Sequence, residues 1–192
     1  DVERSRGLGD VYKRQKANRS DAPDDLIPQF EYIRKSVEAF NIPAVEMINY
    51  EADDLIATYS KQITKLGSDV TIVSSDKDLM QLHDKKVRIY DPMKNKFIKK
   101  EDVIAKFGVT SDKVIDVQSL AGDSSDNVPG VPGIGVKTAA ELINKFGSLE
   151  ELLKNAETIK QNKRRETIIE NKDKALISKK LVTLKNDVPV KN

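Results

Sequence analysis

The composition of the chain excludes several classes of protein. Its 192 residues suit one domain, or one domain with a small appendage. The absence of cysteine excludes disulfides and thiolate metal sites, and it fits a reducing cytoplasm. The single histidine, His83, argues against imidazole-rich zinc sites and against a Ser-His-Asp triad. Charged residues make up 33% of the chain but the net charge is only +2, so the positions of the charges matter more than their sum.

The first part of the chain combines an atypical segment with two apolar elements. Residues 1–15 carry no apolar period, and we interpret them as an artefact outside the fold. From residue 24 onward, apolar residues recur at spacings of three and four, which predicts a helix over 26–40 with a face packed in the core. Residues 44–48 are short and apolar, which predicts a strand. No apolar run reaches the roughly 20 residues that span a bilayer.

A strand–helix–strand unit is predicted next. The helix runs from about Ala52 to Leu66 and stops at Gly67, and Val70–Val73 is typical of a buried strand. Strands joined by a crossover helix are expected to be parallel. The acidic residues that follow the two strands therefore fall on one edge of the sheet, where open α/β sheets bind their ligands.

The rest of the chain is predicted to be a hairpin followed by helices. The hairpin covers 87–98, and an extended segment covers 184–190. Helices are predicted over 101–107, 111–120, 137–146, 149–153 and 163–181. We divide the chain into the atypical segment 1–15, an α/β core over 16–110, a helical subdomain over 111–182 and an extended segment over 183–192.

Seven carboxylates stand in three short clusters along the chain. Each cluster by itself is compatible with an ordinary helix cap or turn. Together they predict a metal centre, because clustered carboxylates repel one another unless cations lie between them, and hard oxygen ligands suit Mg²⁺ or Mn²⁺. A site with two ions roughly 3.5–4 Å apart needs several such ligands. The predicted metal ligands are Glu51, Asp53, Asp54, Asp76, Asp78, Asp123 and Asp126.

A glycine-rich turn between two predicted helices follows the third acidic cluster. A helix, a Gly-x-Gly hairpin and a second helix form a helix-hairpin-helix, in which the glycines let a phosphate backbone approach the helix N-terminus. A plain corner between two helices is the alternative. Contact with backbone rather than base edges predicts DNA binding without sequence preference. The predicted DNA-binding residues are Gly130, Gly133, Ile134, Gly135, Lys137 and Thr138.

These motifs occur in a familiar order. The chain carries Lys16-Ala17-Asn18-Arg19, Glu51-Ala52-Asp53-Asp54, Ser75-Asp76-Lys77-Asp78, Gly122-Asp123-Ser124-Ser125-Asp126-Asn127 and then Val128-Pro129-Gly130-Val131-Pro132-Gly133-Ile134-Gly135. The set resembles the 5′→3′ exonuclease domains of bacterial DNA polymerases I, within the flap endonuclease family. The resemblance covers nearly all of residues 16–192.

The resemblance implies a fold, an activity and a set of partners. The fold is α/β, a parallel-sheet nuclease core (PIN-like) with a C-terminal helix-hairpin-helix subdomain. The activity is a two-metal hydrolysis, with Mg²⁺ or Mn²⁺, that removes RNA primers and 5′ flaps in replication and repair. Lys16 and Arg19 correspond to basic residues that contact the scissile phosphate, and a K⁺ ion is expected near residues 131–134. The implied substrates are RNA-primed DNA and duplexes with a 5′ flap or nick, and the implied state is a monomer in the bacterial cytoplasm.

The chain also departs from the family pattern. The family has two further strands, each with an aspartate, before the segment that matches Lys16 to Arg19, and neither stands out here. We therefore expect the chain to begin inside the domain and to be inactive in isolation if those ligands are essential. Two other functions stay open: a non-enzymatic DNA-binding module whose acids are inert caps, and a related metal-dependent ribonuclease. The ribonuclease would lack the hairpin, so the turn at 130–138 counts against it.

Overall fold

The computed structural model describes residues 22–190, and within that range the chain folds into eight α-helices and one three-stranded sheet. The helices are α1 (Gln29–Ala39), α2 (Ala52–Lys65), α3 (Lys100–Phe107), α4 (Val114–Ala121), α5 (Val136–Phe146), α6 (Leu149–Lys154), α7 (Asn162–Glu170) and α8 (Lys172–Val182). The strands are β1 (Val70–Val73), β2 (Val87–Asp91) and β3 (Lys96–Ile98). The predictions for residues 1–15, Lys16 and Arg19 lie outside the described residues. None of the helices in the described part is long and apolar enough to cross a membrane.

The sheet is mixed, with strand order β1-β2-β3. Strands β1 and β2 are parallel, with Val70 opposite Val87. Strands β2 and β3 are antiparallel and form the predicted hairpin. Its turn is fixed by Asp91, whose Oδ1 accepts the N–H groups of Met93 and Lys94 at 3.0 and 3.2 Å. The hairpin was predicted, and it makes this sheet mixed rather than wholly parallel. The predicted parallel pair joined residues 44–48 to Val70–Val73, whereas the observed parallel partner of β1 is β2.

Helix α2 begins within the first acidic cluster. Its N-cap residue, Glu51, is extended (φ −85°, ψ 159°), and Asp53 and Asp54 occupy the first turn. Carboxylates there are favoured by the partial positive charge of a helix N-terminus. The buried face includes Leu55 and Thr58, and the helix stops before Gly67, whose φ of +94° suits a residue without Cβ.

One hydrophobic core joins the sheet to the helical subdomain. Buried side chains run continuously from Ile72 and Ile89 of the sheet to Leu120 of α4, Ile143 of α5 and Ile168 of α7. Because α4 lies in the middle of this core, the loop after it is held against the sheet. That packing places the third acidic cluster near the strand edge that carries the second.

The predicted helix over 163–181 is two helices, α7 and α8. Asn171 separates them, with φ −112° and ψ 24°. Its side-chain Nδ2 donates to the carbonyl of Thr167 at 2.8 Å, and its own carbonyl accepts the N–H of Ala175 at 3.1 Å. An asparagine side chain that competes for backbone partners in this way ends one helix and begins the next.

Two expectations for the first part of the chain are wrong in the described structure. Helix α1 has no buried residue, and Phe40 is 77% exposed, so its apolar face is not core packing. Residues 44–48 form no strand, and Ile48 is 86% exposed. Apolar periodicity identifies a surface that favours burial, but burial also needs a covering element. No element between residues 22 and 190 buries either segment.

Candidate metal centre and nucleic-acid interface

The acidic clusters converge on one cleft of about 430 Å³. Six of the seven predicted metal ligands line it, together with apolar side chains from the end of α8 and beyond. The lining carboxylates are Glu51, Asp53, Asp76, Asp78, Asp123 and Asp126, and the other lining residues are Ala52, Val128, Leu181, Val182 and Leu184. Residues far apart in the chain therefore share one negative concavity, as the sequence predicted.

The second acidic cluster is shaped by its own side chains. The backbone N–H of Asp76 donates to Ser74 Oγ at 3.0 Å. Asp76 Oδ1 in turn accepts the N–H of Asp78 at 2.9 Å. These two side-chain hydrogen bonds shape the loop directly after β1, which leads into the short 3₁₀ helix Asp78–Leu82. Both carboxylates thus stay at the end of the strand.

The third cluster is a closed loop after α4. Asp123 and Val128 exchange two backbone hydrogen bonds, of 3.0 and 2.7 Å. Inside the loop, Asp123 Oδ1 accepts the N–H of Ser125 at 3.0 Å and its hydroxyl at 2.5 Å. Asp123 is only 9% exposed, so its carboxylate is held in a fixed orientation at the inner side of the cleft.

A lysine already supplies positive charge to this cleft. Lys77 Nζ forms an ion pair with Asp123 Oδ2, and the Asp123 side chain is 6% exposed. Burial alone would lower the pKa of Lys77, but the hydrogen bond and charge of Asp123 outweigh it and raise the pKa above its ordinary value. Burial would likewise raise the pKa of Asp123, and hydrogen bonds from Lys77 and Ser125 outweigh it and lower that pKa. Sequence analysis assigned no role to Lys77.

The surroundings of Asp78 disfavour its charged form. Burial raises its pKa, and the neighbouring charges of Asp76 and Asp123 raise it further. A hydrogen bond of 2.6 Å from Gln118 Nε2 to Asp78 Oδ1 acts in the opposite direction without cancelling the rise. Gln118 belongs to the buried helix α4. A lone glutamine in an apolar helix carries no sequence signal, so sequence analysis missed it.

Asp54, the seventh predicted ligand, does not line the cleft. Its Oδ2 accepts the N–H of Glu51 at 3.5 Å, and its Oδ1 accepts the N–H of Lys185 at 2.8 Å. Residues 184–190 form neither helix nor strand and lie along α2, where the Val188 N–H donates to Thr58 Oγ1 at 3.2 Å. Asp54 therefore joins the start of α2 to this C-terminal segment.

The donor set fits a hard divalent cation in chemistry. All the charged ligands in the cleft are carboxylates, the preferred partners of Mg²⁺ and Mn²⁺. The ammonium group held by Asp123 shows that the cleft attracts positive charge. Within residues 22–190, however, no three acidic or histidine side chains are close enough together to hold one ion as they stand. Ligation would require the carboxylates to draw closer.

The glycine turn has an inner half that is part of the fold. Gly130 is buried, and its N–H donates to Ser178 Oγ of α8 at 2.9 Å. Its φ is +59°, and a Cβ there would lie 2.5 Å from the backbone nitrogen of Gly122. Ile134 is also buried, at 6% exposure. Gly130 and Ile134 therefore support the turn from inside the fold, and their contact with DNA stays a prediction.

The outer half of the turn is open. A Cβ at Gly133 or Gly135 would meet nothing within 4 Å. Gly135 is the N-cap of α5 and has no side chain to cap it, and the first turn carries Lys137 and Thr138 but no acid. The first N–H groups of a helix have no partner inside the helix. This end of α5 thus offers backbone donors and a lysine to an anion.

Two family models together match nearly the whole chain. The model described as 5′-3′ exonuclease, N-terminal resolvase-like domain, matches residues 4–108. The model described as 5′-3′ exonuclease, C-terminal SAM fold, matches residues 109–192. These matches confirm the predicted combination of an α/β core and a helical subdomain.

Similar curated proteins include DNA polymerases I. The chain is 56% identical to that of Rhizobium leguminosarum over 181 residues, covering 94% of the chain and 18% of the polymerase. It is 40% identical to the DNA polymerase I of Bacillus subtilis, and the match covers 94% of the chain and 21% of that polymerase. It is also 37% identical to the 5′-3′ exonuclease of Buchnera aphidicola, covering 94% and 65%. The chain thus spans about a fifth of the length of these polymerases.

Solved structures share the fold. The 5′-exonuclease of bacteriophage T5 with bound zinc superposes with a TM-score of 0.77 at 25% identity, covering 93% of this chain and 67% of that one. The catalytic core of Rad2 in complex with a DNA substrate superposes with a TM-score of 0.55 at 18% identity, covering 94% and 63%. The second likeness shows the fold alone.

Proposed function

Because the chain belongs to the 5′-3′ exonuclease family, we propose that it hydrolyses phosphodiester bonds at the 5′ end of a nucleic-acid strand, at a 5′ flap, a nick or an RNA primer. The observation that carries this proposal is the convergence of six carboxylates from three separate loops on one cleft. An isolated helix cap needs one carboxylate, whereas six in one concavity repel one another without cations.

The proposed metal ligands are the six lining carboxylates, Glu51, Asp53, Asp76, Asp78, Asp123 and Asp126. Two Mg²⁺ or Mn²⁺ ions, when bound, supply an activated water and a counter-charge for the leaving oxygen. Zinc bound to the T5 exonuclease supports a divalent cation in this fold. Asp54 is assigned a positioning role, because both of its oxygens accept backbone N–H groups.

Lys77 reduces the repulsion among the carboxylates of the cleft in the metal-free protein. Its ammonium group neutralises part of the charge of Asp123, Asp78 and Asp126, all of which act on it electrostatically. In this proposal Lys77 leaves Asp123 when a divalent cation takes its place. Lys16 and Arg19 keep the proposed role of contacting the scissile phosphate.

The proposed DNA contact is the open half of the glycine turn. Gly133 and Gly135 leave room for a phosphate, and Lys137 and Thr138 add a charge and a hydroxyl at the N-terminus of α5. This contact reads the backbone and not the bases, so binding is independent of sequence. A K⁺ ion at residues 131–134 is proposed as a further support for the turn.

The likeness to DNA polymerases I supports a place in replication and repair. The proposed setting is the bacterial cytoplasm, with the chain acting as a monomer on RNA-primed or flapped duplexes. A non-enzymatic DNA-binding module is the competing function, because no three carboxylates of the described part are yet close enough to share one ion.

The double variant Asp76→Asn with Asp123→Asn separates these two functions. In an intact homologue that carries the two further aspartates, we expect cleavage of a 5′-flap duplex when Mn²⁺ is added and no cleavage when EDTA is added. The variant loses the charge of two ligands, so cleavage and Mn²⁺ binding fall below detection while affinity for the duplex stays within about twofold. Cleavage that is unaffected by the double substitution refutes the metal assignment. Duplex binding by the wild type without any metal-dependent cleavage supports the DNA-binding module.

A further inference from the structure

The side chain of Gln118 connects the hydrophobic core to the acidic cleft. It is 3% exposed, and its Nε2 donates to Asp78 Oδ1 at 2.6 Å. Its helix, α4, is anchored by Val117 and Leu120, both of which are fully buried. The amide that faces Asp78 is therefore carried by a rigid part of the fold rather than by a mobile loop.

The other end of the same amide has an unusual environment. Gln118 Oε1 is buried, and among residues 22–190 it has no hydrogen-bond partner. A buried acceptor without a partner is unfavourable, and native proteins contain few of them. Rotating the amide by 180° would bring this oxygen against the carboxylate of Asp78, and two acceptors cannot bond to each other. The orientation of the Gln118 amide is thus determined by its hydrogen bond to Asp78, although its oxygen is left without a donor.

We propose that Gln118 is a positioning residue for the metal centre, an inference that rests on the proposed function. By donating to Oδ1 of Asp78, it fixes the rotamer of that carboxylate and leaves Oδ2 for a divalent cation. Without this hydrogen bond, repulsion from Asp76 and Asp123 would turn Asp78 towards solvent. Donors that orient ligating carboxylates commonly change metal affinity when they are removed.

The backbone of Asp78 is fixed independently, which isolates the contribution of Gln118. The N–H of Asp78 donates to Asp76 Oδ1, at the start of the 3₁₀ helix. Removing the amide at position 118 therefore releases the carboxylate of Asp78 but leaves its main chain in place. The expected consequence is a loss of metal affinity without a change in the course of the chain.

A matched control is available in Gln81. Its Nε2 donates to the carbonyl of Val182 at 3.0 Å, and its Oε1 accepts the N–H of Leu184 at 3.3 Å. Gln81 thus makes two hydrogen bonds to backbone and none to a carboxylate of the cleft. Replacing either glutamine by methionine removes a half-buried or buried amide at nearly constant volume, so the pair separates stability from metal affinity.

The contact itself is tested first, without metal. We expect the side-chain NH₂ protons of Gln118 to exchange slowly with water in the NMR spectrum of the full chain. The substitution Asp78→Ala removes the acceptor and should speed up that exchange at least tenfold, while the NH₂ protons of Gln81 are unaffected. Rapid exchange in the wild type would overturn the proposal at this step.

Mn²⁺ binding in the absence of DNA then tests the positioning role. We expect Gln118→Met to weaken Mn²⁺ binding, followed by electron paramagnetic resonance of the free ion, by about tenfold. Gln118→Asn keeps an amide but withdraws it by one methylene, and should lose affinity to a similar extent. Gln81→Met should lower the melting temperature yet leave the Mn²⁺ affinity unchanged.

The outcomes separate this inference from the proposed function. If the wild type binds Mn²⁺ and cleaves a flap, but both Gln118 variants bind Mn²⁺ as tightly, the positioning role is refuted and the nuclease function stands. If the wild type binds no Mn²⁺ although the Gln118 protons are protected, the metal function fails and the positioning role fails with it. Equal losses in the Gln118 and Gln81 variants would show a structural effect only and would also refute the inference.

Discussion

The helices α2 and α5 begin with opposite chemistry. Helix α2 has Glu51 at its N-cap and Asp53 and Asp54 in its first turn. Helix α5 has Gly135 at its N-cap, and Lys137 lies in a first turn without acids. Both N-termini carry a partial positive charge of about half an elementary charge from the aligned peptide dipoles.

Under the proposed function, this difference lets one backbone feature serve two opposite ligands. At α2 the dipole offsets part of the repulsion among carboxylates, so that acids can be concentrated where a cation is needed. At α5 no side chain uses the dipole, which leaves the backbone N–H groups for a phosphate. In this comparison the first few side chains, and not the helix itself, determine which charge is bound.

The largest expected effect is a loss of DNA affinity when the N-terminus of α5 is made acidic, as that of α2 is. The substitution Gly135→Asp puts a carboxylate where a phosphate is expected, and like charges brought together cost several kcal/mol. We expect the affinity for a flap duplex to fall about 100-fold in fluorescence anisotropy, while the melting temperature does not fall, because aspartate is a favourable N-cap. Gly135→Asn caps the helix without charge and is the control. Equal losses in both variants would show that the absence of a side chain, and not charge, is what matters.

Removing the lysine of the cleft tests the acidic side of the comparison. We expect Lys77→Met to destabilise the metal-free protein by about 1–2 kcal/mol in urea unfolding, because Asp123 stays buried without its cationic partner. The effect is reduced by the 34% exposure of the Lys77 side chain. Saturating Mn²⁺ should restore most of the stability. A variant as stable as the wild type without metal would contradict the neutralising role of Lys77.

Neutralising Asp78 should have a smaller effect of the opposite sign. Its raised pKa means that the folded state disfavours the charged carboxylate, so Asp78→Asn should stabilise the metal-free protein at neutral pH, by less than Lys77→Met destabilises it. The gain should disappear as the pH falls through the raised pKa of Asp78, because the wild-type carboxyl then becomes protonated. Thermal unfolding between pH 4 and pH 8 measures this difference. A gain that is independent of pH would have another cause.

The smallest expected effect concerns one phosphate contact at α5. Lys137→Ala should weaken binding to duplexes of any sequence alike and reduce the slope of log affinity against log salt by about one. Titrations of two unrelated duplex sequences at several salt concentrations measure both quantities. A loss confined to one of the sequences would argue against backbone recognition.

Local patterns predicted those parts of the molecule that depend on neighbouring residues. The start of α2 and the hairpin at Asp91 follow from caps and turns. The convergence of the acids was also predicted, although one strand of the predicted strand–helix–strand unit does not form. The break at Asn171 was missed because both halves share an apolar period and one asparagine side chain decides the boundary. Residues 44–48 were wrongly predicted as a strand because a strand also requires a hydrogen-bonded neighbour.

Within the site, sequence analysis identified the charges but not their partners. The pattern groups Asp54 with the ligands because it is acidic and adjacent, but it does not reveal that the oxygens of Asp54 accept the N–H groups of Glu51 and Lys185. Gln118 could not be found at all, since only tertiary packing brings α4 beside Asp78. Contacts between residues 40 or more positions apart depend on how helices cross, and no local pattern encodes that.

The close approach of Gly122 and Gly130 makes the acidic loop and the glycine turn depend on the same backbone contact. The loop that carries Asp123 and Asp126 starts at Gly122, and the glycine turn that is proposed to contact DNA starts at Gly130. A Cβ added at Gly122 would lie 2.6 Å from the carbonyl oxygen of Val128, and a Cβ added at Gly130 would lie 2.5 Å from the backbone nitrogen of Gly122. One added carbon atom would thus displace both the acidic loop and the glycine turn. The resulting defects would resemble the effects of two independent mutations.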